Sequence, residues 1–196
     1  TGIDEKAKCQ LCGTGLYNVL SGSNSSGSCA ACPRGKFLGS VGGTHAGDCK
    51  SCLQGFSQNR TGQAFCLPCA PGRSQQAQSQ ALCAECDKGR FMPLSGSTAG
   101  QCEECLPGRV QERAAQTLCL PCGSGKKQPE SGKAACLVCE THTFSNKPEG
   151  SQCQKCSPGQ YTMQPGAAEC RKCVPGKYGD RVPETTFTVE EACKPC

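Results

Sequence analysis

The cysteines are the feature of this chain that most limits its fold. All 22 fall into eleven Cys-x-x-Cys pairs, which begin at positions 9, 29, 49, 66, 83, 102, 119, 136, 153, 170 and 193. Six of the ten steps between consecutive pairs are 17 residues long, and so short a period leaves room for one small supersecondary unit per repeat. We therefore expect residues 1–196 to form one continuous array of about ten repeats.

So many cysteines indicate disulfides and an oxidising compartment, because cytosolic thiols stay reduced. The rest of the composition agrees. Only 36% of the residues are hydrophobic even with cysteine included, and no tryptophan is present. Burial of so little apolar surface cannot offset the conformational entropy of a chain this long, so cross-links must contribute. We expect an extracellular or cell-surface protein with a minimal hydrophobic core.

Glycine and aromatic residues keep phase with the cysteines. A glycine stands three residues after the second cysteine of the pair in nine of ten repeats, with His142 as the exception, and four of these glycines follow proline. Pro-Gly suits a type II turn, in which glycine takes a positive φ. Two residues beyond the glycine, six repeats carry an aromatic residue, whose ring we expect to cover the nearest disulfide. These rings belong to Tyr17, Phe37, Phe91, Phe144, Tyr161 and Tyr178.

This phased pattern predicts the fold class. Glycine, proline and cysteine recur too often for an amphipathic helix of ten or more residues. We expect a small disulfide-rich protein, an elongated tandem array of short β-hairpin and turn repeats with little helix.

The repeat resembles a known family. The motif Cys-x-x-Cys-x-Pro-Gly-x-[Phe/Tyr], followed by Gly-x-x-x-Cys-x-x-Cys, is clearest from Cys153 to Tyr161 and from Cys170 to Tyr178. It looks like the ephrin-receptor-like cysteine-rich repeat, over nearly the whole chain. Each unit is also similar to the single-disulfide module of tumour necrosis factor receptors, as in Cys32-Pro-Arg-Gly-Lys-Phe37.

The resemblance implies a disulfide pairing in which the second cysteine of one pair bonds the first cysteine of the next. The implied disulfides are Cys12–Cys29, Cys32–Cys49, Cys52–Cys66, Cys69–Cys83, Cys86–Cys102, Cys105–Cys119, Cys122–Cys136, Cys139–Cys153, Cys156–Cys170 and Cys173–Cys193. Cys9 and Cys196 are left for cysteines beyond these residues. We therefore expect the chain to be a segment of a longer polypeptide or to be linked to an adjacent subunit.

Two other kinds of cysteine chemistry compete with structural disulfides. Cys102/Cys105 and Cys119/Cys122 approximate a four-cysteine zinc site, but the number of pairs is odd and the chain has only two histidines. A thiol redox enzyme needs one activated pair on a packed scaffold, whereas these eleven pairs are equivalent. We expect no enzyme, no catalytic residue and no cofactor, with a zinc-binding repeat protein as a distant alternative.

Several surface residues also carry predictions. We expect His45 and His142 to be solvent-facing loop residues. The sequons at Asn24 and Asn59 predict N-glycan acceptors. A basic residue follows the turn glycine in six repeats, which indicates a solvated strand face or, alternatively, a docking surface for an anionic glycan or an acidic partner. These residues are Lys36, Arg73, Arg90, Arg109, Lys126 and Lys177.

These observations favour a structural function. The scattered net charge of +5 is too small to indicate nucleic acid binding, and no apolar run is long enough to enter a membrane. We expect a rod, stalk or filament component of an extracellular surface or matrix glycoprotein, whose partners are neighbouring repeats or subunits and glycans. The alternative is a receptor ectodomain or ligand-binding module, which should contain one anomalous repeat with exposed aromatic residues. The regular spacing of the cysteine pairs over residues 102–173 favours the spacer.

Overall fold

The computed structural model describes residues 11–20, 28–97, 101–179 and 193–195. The predictions at Cys9, Asn24 and Cys196 lie outside the described residues. Each repeat is a two-stranded antiparallel hairpin closed by one disulfide. The helix that lies wholly within the described ranges is a single 3-10 turn at Ala46–Asp48. The predicted class, a small disulfide-rich protein of tandem hairpins with little helix, is confirmed.

Every described strand is two residues long. The odd-numbered strands follow a turn, and the even-numbered strands lie between the two cysteines of a pair. Each odd-numbered strand pairs with the strand that follows it. The strands are β1 Leu16–Tyr17, β2 Ala30–Ala31, β3 Lys36–Phe37, β4 Lys50–Ser51, β5 Phe56–Ser57, β6 Leu67–Pro68, β7 Arg73–Ser74, β8 Ala84–Glu85, β9 Arg90–Phe91, β10 Glu103–Glu104, β11 Arg109–Val110, β12 Leu120–Pro121, β13 Lys126–Lys127, β14 Leu137–Val138, β15 Thr143–Phe144, β16 Gln154–Lys155, β17 Gln160–Tyr161, β18 Arg171–Lys172, β19 Lys177–Tyr178 and β20 Lys194–Pro195.

Ten disulfides close the repeats, and they are the same ten pairs that the family resemblance implies. They join Cys12–Cys29, Cys32–Cys49, Cys52–Cys66, Cys69–Cys83, Cys86–Cys102, Cys105–Cys119, Cys122–Cys136, Cys139–Cys153, Cys156–Cys170 and Cys173–Cys193. We number the repeats 1 to 10 in this order. Their Cα atoms are 5.6–5.8 Å apart, within the usual range for disulfides.

Each hairpin begins with the predicted tight turn. In repeat 4, the Arg73 amide donates to the Ala70 carbonyl oxygen at 3.0 Å, and Gly72 has a φ of 78°. Pro71 and Gly72 therefore occupy the central positions of a type II turn, where a positive φ favours glycine. His142 adopts the same conformation in repeat 8, with a φ of 61°.

The chain divides into two compact units, and the residues of each unit contact one another. The first comprises Thr1–Cys86 and Met92–Cys102, and the second comprises Asp87–Phe91 and Glu103–Cys196. The first contains two small apolar clusters, which consist of Cys32, Leu38 and Cys49 and of Cys86, Met92 and Cys102.

These clusters correct the prediction that each ring covers the nearest disulfide. The residue after the ring position is buried in most repeats, as at Leu38 and Met92. In repeat 6 the residue at the ring position, Val110, is buried as well. Tyr17 of repeat 1 packs against the apolar cluster of repeat 2, which consists of Leu38 and the Cys32–Cys49 disulfide. Tyr178 is 48% exposed. The core of a repeat is therefore a disulfide with one inward side chain, and the rings lie at its margin.

Candidate functional site

The surface with the most regular chemistry is the contact between consecutive repeats. In the second unit, the Gly108 amide donates to the Gln128 carbonyl at 2.7 Å, and the Gly125 amide donates to the Ser145 carbonyl at 2.8 Å. In the first unit, the Gly35 amide makes the same bond to Gln58, at 2.8 Å. In repeats 1 to 8, the turn is thus hydrogen-bonded to the residue after the ring position in the next repeat.

A second hydrogen bond at this contact uses another positive-φ residue. Gly132 donates its amide hydrogen to the Cys105 carbonyl at 2.8 Å, and Gly166 donates to Cys139 at 2.7 Å. Glycine is not obligatory at this position, because Glu149 occupies it in repeat 8 with a φ of 65°. Together with a third, from the Ser145 amide to the Ala167 carbonyl at 3.2 Å, these backbone bonds fix both the spacing and the rotation of one hairpin against the next.

The turn glycines also lie against the repeat after next. A Cβ atom built at Gly125 would overlap the Gly166 carbonyl oxygen, and one built at Gly108 would overlap the Glu149 carbonyl oxygen. In the first unit, Gly35 meets the Ser79 carbonyl in the same way. Repeats 2, 6 and 7 therefore contact the repeat after next, and the absence of a side chain at the turn glycine permits this contact.

Glutamine side chains hold the loops that make these contacts. Gln128 is 4% exposed, its Nε2 donates to the Ala135 carbonyl at 2.7 Å, and its Oε1 accepts the Glu130 amide at 3.1 Å. Gln58 and Gln111 make the same pair of bonds in repeats 3 and 6. Sequence reasoning missed these residues, although glutamine follows the ring position in four repeats and that recurrence could have revealed them.

The basic residues after the turn glycine are partly neutralised. Three of the six form ion pairs at an N–O distance of 2.5 Å, namely Arg73–Glu85, Arg90–Glu104 and Arg109–Glu149. Their side chains are 40–52% exposed, so each pair contributes little stability. The solvated strand face is therefore the interpretation that fits these three positions.

The two histidines differ. His45 is exposed, as predicted. The prediction for His142 is wrong, because this residue is 4% exposed. It stands at the turn-glycine position, where its amide donates to the Thr162 carbonyl of the next repeat at 3.0 Å. Its Nδ1 is buried and has no hydrogen-bond partner among the described residues.

The set considered for zinc consists of cysteines that all form disulfides, namely Cys102, Cys105, Cys119 and Cys122. Zinc needs thiolates.

Asn59 and the threonine of its sequon, Thr61, are both exposed. Among the described residues, no helix has the length and hydrophobicity that crossing a bilayer demands. No family model matches the chain, and no curated protein matches it.

Proposed function

We propose that this chain is a structural spacer of an extracellular protein, which carries tension along a covalent ladder. The observation that supports this proposal is the disulfide order. Each bond joins the start of a repeat to its end, and three residue steps lead from one bond to the next. The shortest covalent path from Cys12 to Cys193 therefore avoids every hairpin loop.

The length of this path can be compared with that of the uncrosslinked chain. Ten Cα–Cα distances of 5.6–5.8 Å and nine three-step links at about 3.3–3.6 Å per step give about 150 Å. Without the disulfides, the same residues would extend to about 600 Å. The ladder thus prevents about three quarters of the possible extension. A spacer that holds two attached domains at a fixed separation needs this property.

Further observations support an extracellular spacer over an enzyme. The contacts between repeats are made by backbone groups and recur in both units. Disulfides in this number are typical of secreted and cell-surface proteins. The exposed sequon at Asn59 is accessible to glycosylation.

Single-molecule pulling of the full chain tests the proposal. Under oxidising conditions, we expect the distance between Cys12 and Cys193 to stay within about 150 Å until covalent bonds rupture. Addition of a thiol reductant under load should then release about 450 Å. An extension of several hundred ångströms in the oxidised chain would contradict the proposal that the disulfides carry the force.

A replacement experiment in the source cell tests the spacer function. Replacement of residues 105–172 by an unrelated disulfide-linked spacer of equal contour length should preserve function, and loss of function would contradict the proposal that the chain is a spacer.

A further inference from the structure

Repeat 3 departs from the pattern of the other repeats. Phe56 stands directly after the turn glycine, where six other repeats carry a basic residue, and Ser57 takes the ring position. Phe65 stands before the first cysteine of a pair, a position at which no other repeat has an aromatic residue. This is the kind of anomalous repeat expected of a ligand-binding module.

The phenylalanines of repeats 2 and 3 line one apolar cleft in the first unit. The cleft has a volume of about 420 Å³ and is lined by Phe37, Lys50, Leu53, Phe56 and Phe65. Phe65 is 61% exposed and Leu53 is 62% exposed. Single exposed apolar residues are common, but a contiguous concave group of them is typical of a binding surface. The volume lies within the range of ligand sites.

The charge around the cleft indicates what it binds. Residues 32–66 carry four basic side chains and one carboxylate, a net charge of +3 out of +5 for the whole chain. The carboxylate belongs to Asp48, which accepts the backbone amides of Thr44 and His45 at 2.7 and 3.1 Å. Lys50 is the only charged residue that lines the cleft, and it forms no ion pair within the described ranges.

We propose that this cleft binds an acidic segment of another protein. A phenylalanine or leucine side chain of that segment packs against Phe37, Phe56 and Phe65, and an adjacent carboxylate pairs with Lys50. Aromatic anchors in a desolvated pocket supply most of the affinity at protein interfaces, and a complementary charge at the rim supplies orientation and selectivity. The site is independent of the spacer function, since it uses side chains of one repeat pair and none of the recurring backbone bonds.

Peptide titration of the full oxidised chain tests the proposal by ¹H–¹⁵N NMR. The probe is acetyl-Glu-Glu-Phe-Glu-Glu-amide, and the two comparison peptides replace its phenylalanine by alanine or its glutamates by lysines. We expect the probe to shift amide signals within residues 50–66 and at Phe37. Both comparison peptides should bind at least fivefold more weakly. Equal binding by either comparison peptide, or shifts scattered over both units, would overturn the proposal.

Variants with matched controls separate the apolar and charged contributions. Phe65→Ala should weaken binding about tenfold, whereas Leu118→Ala, at the same position of repeat 6 and 54% exposed, should not. The Phe65 carbonyl keeps its bond from Gln58, so the fold should survive. Lys50→Glu should weaken binding about fivefold at low salt and less at high salt, whereas the equivalent Arg171→Glu should have no effect.

A membrane is the other surface that apolar and basic groups can bind. Vesicles of zwitterionic lipid with anionic phosphatidylserine serve as the probe in a sedimentation assay. We expect no binding that depends on Phe65. Vesicle binding that Phe65→Ala abolishes, together with no response to the acidic peptide, would replace the protein partner by a lipid surface and overturn the proposal.

Discussion

Replacement of Gly125 by alanine should open the contact between repeats 7 and 9. Gly125 has a φ of 76°, a conformation that costs a residue with a Cβ about 1–2 kcal/mol. The new Cβ would also overlap the Gly166 carbonyl oxygen, and overpacking costs about 1–3 kcal/mol. We therefore expect Gly125→Ala to destabilise this contact by about 3 kcal/mol.

Gly159→Ala is the matched control, because it separates backbone strain from overlap. Gly159 has the same φ of 76°, but no described atom lies within 4 Å of the Cβ position. Its substitution should cost only the conformational part, about 1 kcal/mol. The difference of about 2 kcal/mol between the two variants measures the contact with the repeat after next.

Native-state hydrogen exchange is the appropriate assay, because the disulfides keep the chain linked and repeat arrays open locally. The Gly166 amide donates to Cys139 at 2.7 Å, and the Ser145 amide donates to Ala167 at 3.2 Å. Both should exchange about 100-fold faster in Gly125→Ala, since about 1.4 kcal/mol corresponds to a factor of ten. Gly159→Ala, which costs only about 1 kcal/mol, should accelerate both rates by no more than about fivefold. Equal acceleration by the two variants would refute the overlap argument.

Three further outcomes are expected. Gln128→Ala removes the two hydrogen bonds that this buried side chain makes to its loop and should lower the local stability of the loop by about 1–3 kcal/mol in hydrogen exchange. Replacement of the exposed Gln154 by alanine should change the local stability little, and equal effects would contradict the buried role of Gln128. The backbone amides of Thr44 and His45 hold the pKa of Asp48 below its ordinary value of 3.8. The protection of these two amides from hydrogen exchange should therefore be complete above pH 3.8 and be lost as the pH falls through the lowered pKa of Asp48. Asp48→Asn should abolish this pH dependence, and an unchanged acid profile in that variant would contradict the role of the carboxylate. A thiol reductant should unfold the oxidised chain while a zinc chelator leaves its circular dichroism unchanged, and the opposite pattern would restore the four-cysteine metal interpretation.

The sequence was sufficient to predict features that repeat with the cysteines. Pro71-Gly72 predicted its turn because both residues have restricted or special backbone preferences, and these do not depend on neighbours. The inward side chain was not predicted. Whether Phe37 or Leu38 faces the disulfide depends on strand orientation, which a two-residue strand does not show by alternation.

The contacts between repeats could not be predicted from the sequence either. His142 is hydrogen-bonded through its backbone amide to Thr162 of the next repeat, and the apolar cleft is lined by residues from two repeats. Periodicity gives the composition of each repeat, but it does not give the rotation of one hairpin against the next. That rotation decides which side chains are covered.

The disulfide ladder has a consequence for how the chain is made. Each bond joins cysteines only 14–20 residues apart, so a ribosome adding about 5–20 residues per second completes a loop within about four seconds. Bonds can then form in order from the amino terminus, and few thiols are unpaired at any moment. A mutation that removes one cysteine leaves its partner to react with the next one to emerge, and the resulting mispairing spreads toward the carboxyl terminus. Early repeats should therefore tolerate the loss of a cysteine less well than late ones.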